Sequence, residues 1–168
     1  MSKGAMRAYQ RAGSDPSVSS PLIDLGQLPN LLGYALRQAQ LSVFRDFLRA
    51  FSRFNIRPVQ YGILTVIERN PGLKQQRVCQ ALGIRRANFV TLLNDLARRG
   101  LAKRGPSAND QRANALYLTE KGKALMQELR KVNKVHEDRI AAGLSREKRS
   151  LLIQALNQIK LSADSSNA

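Results

Sequence analysis

An acid two residues before an arginine stands out in an otherwise basic stretch of this sequence. Residues 107–122 read SANDQRANALYLTEKG, with Asp110 and Arg112 ahead of an alternating run. Residues two apart in an extended strand point to the same side, so the Asp110 carboxylate could orient the Arg112 guanidinium. A guanidinium held in this way is suited to bind an anion, and Lys103 and Arg104 lie just upstream. Standing alone, the pair would be a chance surface feature.

A second set of polar side chains lies earlier, in the segment QQRVCQALGIRRANFVTLL, residues 75–93. Two patterns of helical spacing meet there at Gly83, which tolerates the positive φ of a tight turn. This arrangement is typical of a helix-turn-helix. The second helix turns a polar face outward, formed by Ala87, Asn88, Thr91, Asn94 and Arg98, with Arg85 and Arg86 at its start. Such a face suits the base edges and phosphates of a DNA major groove.

The positive charge of the chain is concentrated in its middle part. The formal net charge is +16, and residues 57–118 contain eleven Lys and Arg against three acids. A focused positive field favours a polyanionic partner, and nucleic acid is the commonest polyanion. The alternative is a generally basic surface with no particular partner.

The sequence lacks the residues that most other functional chemistries require. Because Cys79 is the one cysteine and His136 the one histidine, the sequence cannot form an internal disulfide, a cysteine-based metal site or a histidine-rich zinc cluster. A lone histidine also disfavours Ser-His or Cys-His catalysis. We therefore expect no catalytic residues, metal, cofactor or enzymatic activity. We expect a cytoplasmic protein with no membrane partner, because no apolar run approaches the ~20 residues of a span and the N-terminus lacks a signal-peptide core.

The spacing of apolar residues predicts a mostly α-helical fold with a small β-hairpin. An apolar stripe at helical spacing runs from Leu31 to Phe54, and one helix of that length cannot bury its stripe alone. Five further helices are predicted, from Pro58 to just before Asn70, from Lys74 to Leu82, from Arg85 to just before Gly100, from Thr119 to Ala142 and from Ser145 to Ser162.

The hairpin is predicted from two short extended runs, Leu101–Arg104 and Ala113–Leu118. Between them, GPSANDQR forms a long loop that would project as a wing. The alternation predicts one packed face, made of Leu101, Lys103, Asn114, Leu116 and Leu118. Arg112 in such a wing would be placed for the narrow minor groove beside the groove that the helix occupies.

The helix order, the turn and the hairpin together resemble the MarR family of winged helix-turn-helix transcription factors. The likeness extends over roughly residues 31–160. The wing signature of that family, Asp-x-Arg followed by alternating residues and Leu-Thr-x-x-Gly, matches Asp110, Arg112, Leu118, Thr119 and Gly122.

The resemblance implies a homodimer in which each subunit presents one winged module to a pseudo-palindromic operator in double-stranded DNA. In this view residues 1–26 are a flexible tail, 27–56 the N-terminal dimerisation helix, 57–118 the winged DNA-binding module and 119–168 the C-terminal dimerisation helices. It implies that Arg85, Arg86, Asn88 and Thr91 contact the major groove and backbone and that Arg112 enters the minor groove. Ala87, Lys103, Arg104 and Asp110 complete the predicted DNA-binding set.

The resemblance also implies a small-molecule effector that binds against the first, second and fifth helices. The candidate pocket residues are Phe44, Phe47, Phe51 and Tyr61, with Arg45 or Arg49 as the partner of an anion and His136 as a hydrogen-bond donor. Aromatic and basic content favours an aromatic acid or its acyl-CoA thioester.

Two residues, His136 and Cys79, also have a purely structural interpretation. His136 lies on an apolar stripe and could be a satisfied core or interface residue. Some members of the family sense oxidants through a reactive cysteine, but Cys79 lies four residues before Gly83, where two helices cross and a small side chain is needed. We therefore expect a structural role for Cys79.

The sequence thus predicts a ligand-responsive, dimeric regulator of transcription, most often a repressor in the resembled family. The main alternative is a sequence-tolerant architectural nucleic-acid-binding protein, whose binding a random-duplex competitor would erase completely. An enzyme is the weakest alternative, because the sequence offers neither a metal cluster nor a glycine-rich phosphate loop.

Overall fold

The computed structural model describes residues 23–107 and 110–165, and of residues 107 and 110–114 it describes only the backbone. The helices are α1 (Leu32–Ala50), α2 (Pro58–Arg69), α3 (Gln75–Leu82), α4 (Arg86–Arg98), α5 (Glu120–Ile140) and α6 (Arg146–Ser165). The strands are β1 (Leu73–Lys74), β2 (Ala102–Ser107) and β3 (Asp110–Leu118). Short 3₁₀ helices cover Leu28–Asn30 and Ser52–Phe54. The chain divides within α1 into two units, residues 1–38 and 39–168.

The sheet has three antiparallel strands in the order β1-β3-β2, where the sequence predicted a two-stranded hairpin. The additional strand pairs Leu73 with Leu116, and Gly72 donates its N–H to the Leu116 carbonyl at 2.9 Å. A two-residue strand shows no alternation, so its sequence carries no signal. The hairpin strands are also longer than predicted, because β2 extends to Ser107 and β3 begins at Asp110. The connecting loop is correspondingly shorter than GPSANDQR.

The packed face of the hairpin lies one residue out of the predicted register in β2. Ala102 pairs with Leu118 and Arg104 with Leu116, so these four residues share a face. Lys103 pairs with Tyr117 on the opposite face and is exposed. The prediction that Lys103 shares the packed face is therefore wrong. The predicted alternation started from Leu101, which is buried but lies in the turn after α4 and not in β2. The predicted register of β2 was therefore shifted by one residue.

The first long helix ends four residues earlier than its apolar stripe. After Ala50 the chain turns through the 3₁₀ helix, and Asn55 adopts a left-handed conformation at φ 50°. Asparagine tolerates this conformation, and Pro58 then begins α2 with the φ that its ring imposes. The stripe continues to Phe54 because the 3₁₀ helix also packs against the core.

Most of the remaining helix ends follow their predicted signals, but α5 ends at Ile140, two residues before the predicted Ala142, and α6 continues to Ser165, three residues beyond the predicted Ser162. Gly83 is left-handed at φ 62° and ends α3. At the start of α5, the Thr119 hydroxyl accepts a hydrogen bond from the Gly122 N–H at 3.0 Å. No helix in the parts of the chain that the structure describes is long and apolar enough to cross a membrane.

One apolar core supports the helix-turn-helix. Cys79 is buried in this core, as expected for the crossing of two helices. The core residues from α2, α3 and α4 are Ile63, Leu64, Ile67, Val78, Phe89, Leu93 and Leu96, and Leu116, Met126 and Leu129 close it from the sheet and α5. The outward face of α4 is thereby held on a rigid support.

Candidate nucleic-acid interface and effector cavities

The polar face of α4 is directed away from the core. The buried residues Phe89, Leu93 and Leu96 follow one side of the helix. The exposed residues at its start and along its opposite side are Arg85, Arg86, Ala87, Asn88 and Thr91. The structure therefore brings these five predicted DNA-binding residues together on one accessible face with no acid among them.

Strand β2 directs its two predicted basic residues to opposite faces of the hairpin. Arg104 lies on the face toward α4, and its guanidinium donates a hydrogen bond to the side-chain oxygen of Asn94 at 2.7 Å. Lys103 points to the other face, beside Tyr117 and a cavity under the hairpin. Asn94 was predicted on the outward face of α4 but not among the DNA-binding residues, and the structure gives it the role of a partner for Arg104.

Asp110 and Arg112 lie in β3, but their side chains are outside the described residues. The expectation that the carboxylate orients the guanidinium therefore stays a prediction. The backbone is consistent with its premise, because both residues belong to one extended strand, where side chains two apart share a face.

Asp95 anchors α4 to the start of α2. Its carboxylate accepts a hydrogen bond from the buried Gln60 amide at 2.9 Å and another from Arg98 at 2.6 Å. Gln60 in turn accepts the backbone N–H of Arg57 at 3.0 Å. The Arg98 hydrogen bond is the main reason why the pKa of Asp95 lies below its usual value, so the carboxylate is charged at neutral pH.

The end of α4 is tied to the turn between α1 and α2. Arg99 donates to the carbonyls of Phe54 and Asn55, both at 2.8 Å. A displacement of this turn would therefore be transmitted to α4. These partners lie 44 and 45 residues apart in the chain, which is why no local pattern revealed them.

Four of the seven predicted effector residues form a packed aromatic cluster. The rings of Phe47 and Phe51 are stacked with centroids 3.8 Å apart. His136 meets Phe47 edge-on at 5.5 Å, and Tyr61 meets Phe51 at the same distance. Rings in such contact form a wall and leave no space for a ligand among themselves.

The other three predicted effector residues take no part in these ring contacts. Phe44 and Arg45 are exposed on α1, beside other exposed apolar side chains of that helix. Arg49 is also exposed and pairs with Asp46. The described residues of a single chain do not bring the seven candidates around one space, and their part in an effector pocket, with Arg45 or Arg49 as the partner of an anion, stays a prediction. Helical spacing placed Phe44 on the same stripe as Phe47, but within the described part of the chain that turn of α1 stays exposed.

Asp46 holds a group of polar side chains together, and no sequence pattern indicated this role. It binds Nδ1 of His136 at 2.7 Å and accepts from Arg139 at 2.9 and 3.0 Å, with Arg49 as a further partner. The His136 hydrogen bond is the largest cause of a pKa of Asp46 far below its usual value, although burial acts in the opposite direction. Because the carboxylate is ionised, the histidine Nδ1 must donate. His136, 2% exposed, is thus a satisfied core residue.

Open space lies instead on both sides of a second ion pair, between Glu68 of α2 and Arg130 of α5. One Arg130 nitrogen binds both Glu68 oxygens, at 2.7 and 2.8 Å. A cavity of about 500 Å³ lies on the side of Tyr61, and one of about 470 Å³ on the side of Tyr117. Burial raises the pKa of Tyr61 above its usual value, so its hydroxyl stays neutral and able to donate. Among the described residues, no three His, Cys, Asp or Glu could hold a metal ion.

Comparison with known proteins agrees with this geometry. A family model described as MarR family matches residues 54–113. The protein of Thauera aromatica assigned as a transcriptional regulator of the hcr operon is 31% identical over 135 residues, which cover 80% of this chain and 81% of that protein. The chain belongs to the MarR family. It is accordingly a DNA-binding transcriptional regulator, and MarR-family regulators are dimers.

The repressor CouR is a solved structural relative of this MarR-family chain. The CouR structure with a 23-mer DNA duplex is 40% identical, has a TM-score of 0.77 and is matched over 82% of this chain and 98% of its own. The CouR structure with p-coumaroyl-CoA is 39% identical, has a TM-score of 0.76 and is matched over 82% of this chain and 97% of its own. The winged helix-turn-helix fold predicted from the sequence is thereby confirmed.

Replacing Asp95 with asparagine is expected to reduce discrimination between operator and random DNA by about tenfold, the size of one lost base contact. An asparagine amide at position 95 binds Gln60, Arg98 and Arg99 more weakly than the carboxylate does, so α4 is positioned less precisely. Affinity for random duplex should stay the same or rise, because removal of the carboxylate makes the net charge of the variant more positive by one. Competition binding at fixed salt measures both affinities. Glu128→Gln, which removes an exposed acid paired with Lys131 on α5, is the matched control. An unchanged ratio in Asp95→Asn would contradict this positioning role.

Proposed function

We propose that this chain is a repressor whose dimer occupies a pseudo-palindromic operator and is released by an aromatic acid or its acyl-CoA thioester. The observation that carries the DNA-binding half is the exposed polar face at the start of α4, formed by Arg85, Arg86, Asn88 and Thr91 and backed by a continuous apolar core. Two such faces in a symmetric dimer would enter successive major grooves about 10 bp apart.

The DNA contacts follow from the directions of the side chains. Asn88 and Thr91 are proposed to read base edges, because both are exposed on the outward face of the first half of α4. Arg85 and Arg86 are proposed to bind the backbone at the helix start, with Ala87 between them and Asn88. Arg104, directed toward α4, would bind phosphate beside it, and Lys103 is placed farther from this face. Arg112, oriented by Asp110, is proposed for the minor groove.

Dimerisation is proposed to cover the apolar faces of the terminal helices. No residue of α6 is buried within the chain, although the helix exposes Leu151, Leu152, Ile153 and Leu161. A helix with an uncovered apolar face requires a partner surface. We therefore assign the apolar faces of residues 27–56 and 119–168 to the dimer interface, residues 57–118 to DNA binding and residues 1–26 to an N-terminal tail.

The effector is proposed to enter the cavity beside Tyr61. An aromatic ring there could lie against the Tyr61 ring and Met126, with the Thr65 and Tyr61 hydroxyls and Arg130 as polar partners. The binding of p-coumaroyl-CoA by CouR supports an aryl thioester as the effector class. Tenfold release from DNA requires only ~1.4 kcal/mol of preference for the conformation that does not fit the operator.

We further propose that the chain acts in the cytoplasm, where a bacterial regulator meets its DNA, and that it acts by binding without catalysing a reaction. The descriptions of its relatives as transcriptional regulators support the absence of catalysis. The alternative of a sequence-tolerant architectural protein predicts no preferred sequence at all.

The direct test is selection of bound fragments from sheared genomic duplex at ~150 mM salt with excess random competitor, because specific binding must survive this competition. We expect recovery of a pseudo-palindrome with half-sites about one turn apart. Asn88→Ala should lose about tenfold in operator affinity and relax one base position, while Arg86→Ala should weaken all sequences and lower the salt slope by about one.

The control for both variants is Lys131→Gln, which changes an exposed cation on α5 and should leave the selected sequence intact. Even recovery of all genomic sequences by the parent protein would favour the architectural alternative. Sequence preferences that stay the same in Asn88→Ala would contradict base reading by that residue.

A further inference from the structure

The cavity beside Tyr117 is not used by any of the proposed DNA contacts. It lies between α2, α5 and the outer face of the β2–β3 hairpin, with Ile67 and Leu118 among its apolar walls. Three cations line it as well, Lys103 from β2 and Lys123 and Arg130 from α5. An apolar floor with several cations at the rim is suited to bind an elongated anion.

This cavity and the one beside Tyr61 share two lining residues, Glu68 and Arg130. The ion pair between them therefore marks the border of the two spaces. A ligand longer than either cavity could place one end in each and pass along Arg130. The two ends would meet different surroundings, because Met126 and Tyr61 line the first cavity and the two lysines line the second.

The lysines of the second cavity are available for exchange with a ligand. Lys123 pairs with Glu120 at 2.8 Å, three residues earlier on α5, and both side chains are largely exposed. Lys103 also faces Glu120, and both lysines contribute to its lowered pKa, Lys123 most strongly. Exposed pairs of this kind contribute little stability. The phosphates of an acyl-CoA together bear more charge than one carboxylate and could replace Glu120 as the partner of both lysines.

We propose that the effector is bound across the Glu68–Arg130 pair, with its aryl group in the Tyr61 cavity and its phosphates on Lys103 and Lys123 in the Tyr117 cavity. This placement rests on the proposed function, because it assumes a thioester that carries both an aromatic group and phosphates, as an aryl acyl-CoA does. It adds a phosphate subsite formed by α5 and the wing.

The subsite connects the effector to the DNA-binding hairpin. Lys103 belongs to β2, the strand that also carries Arg104 toward α4. Phosphates bound at Lys103 would add negative charge at the base of the wing and hold the strand to α5. Both effects oppose binding of the wing to a DNA backbone.

The test measures binding of p-coumaroyl-CoA to the full-length protein by isothermal titration calorimetry, for the parent, Lys123→Gln and Lys131→Gln. The two lysines are matched, since each is exposed and pairs with a glutamate three residues earlier on α5. Lys123→Gln should weaken binding about three- to five-fold at low salt, and Lys131→Gln should not. The difference should largely disappear near 1 M salt, where exposed charges are screened.

A second ligand distinguishes the contribution of the phosphates to binding from that of the aryl group. The p-coumaroyl thioester of N-acetylcysteamine has the same aryl thioester but no phosphate, so Lys123→Gln should bind it as well as the parent does. Equal CoA-thioester affinity in the parent and both variants would overturn the phosphate subsite alone. An equal loss for both ligands in Lys123→Gln would also overturn it. A parent protein that binds its operator but not p-coumaroyl-CoA would overturn this placement together with the proposed effector.

Discussion

Replacing Gly122 with alanine is expected to lower the free energy of unfolding by about 3 kcal/mol or more, because the new methyl group has no space. A Cβ at this position would lie 2.0 Å from the Leu101 carbonyl oxygen and 3.0 Å from its carbon. The first turn of α5 packs directly on this carbonyl, and Thr119 binds the same corner through the Gly100 oxygen at 2.6 Å. Relief requires movement of backbone that is held from both sides.

Thermal unfolding followed by circular dichroism measures this effect, and a drop of about 10 °C is expected for a chain of this size. Gly143→Ala is the control, since a Cβ there meets nothing within 4 Å and its backbone is not left-handed. At temperatures where Gly122→Ala is still folded, the variant should also lose operator binding, because Leu101 connects α4 to the wing. A melting temperature equal to that of Gly143→Ala would contradict the close contact.

Replacing Asp46 with asparagine is expected to cost about 2–3 kcal/mol of stability at neutral pH, since it weakens the hydrogen bonds that a buried histidine and an arginine make to a charge. The carboxylate side chain is 11% exposed, and it joins α1 to α5 through His136 and Arg139. Its removal should therefore loosen the attachment of the first helix as well as lower the unfolding free energy.

The same carboxylate predicts a specific pH dependence. The pKa of Asp46 is lower in the folded protein than in the unfolded chain, chiefly because of the His136 hydrogen bond. Its contribution is therefore complete above the unfolded value, near 4, and is lost as the pH falls toward the folded value. Urea unfolding from pH 7 to pH 2.5 should show the difference between parent and Asp46→Asn shrinking below about pH 4. Asp138→Asn, on the exposed side of α5, should track the parent throughout. A constant difference at all pH values would contradict the assignment to this ion pair.

The parts of the fold that the sequence predicted well are those decided by near neighbours. The turn at Gly83 and the cap at Thr119 depend on conformations and hydrogen bonds within a few residues, so residue type alone indicated them. The polar face of α4 could be predicted for the same reason, because helical period separates Asn88 and Thr91 from Phe89 and Leu93. Sequence patterns were less informative in the hairpin, where a buried Leu101 outside β2 shifted the apparent alternation by one residue.

The contacts that tie the site together were decided by tertiary structure. His136 and Asp46 are 90 residues apart, and Gln60 and Asp95 are 35 residues apart, so each pair exists only after separate helices pack. The aromatic residues of α1 illustrate the same limit, since periodicity grouped Phe44 with Phe47 but could not show which turn would be covered. The cavities beside the Glu68–Arg130 pair are spaces between elements and correspond to no sequence pattern. The sequence alone therefore determined the winged helix-turn-helix and the exposed polar face of α4, because these depend on local hydrogen bonding and period. Only the packing of distant elements decided where open space lies between α2, α5 and the hairpin and how α4 is held to α2 and to the turn before it.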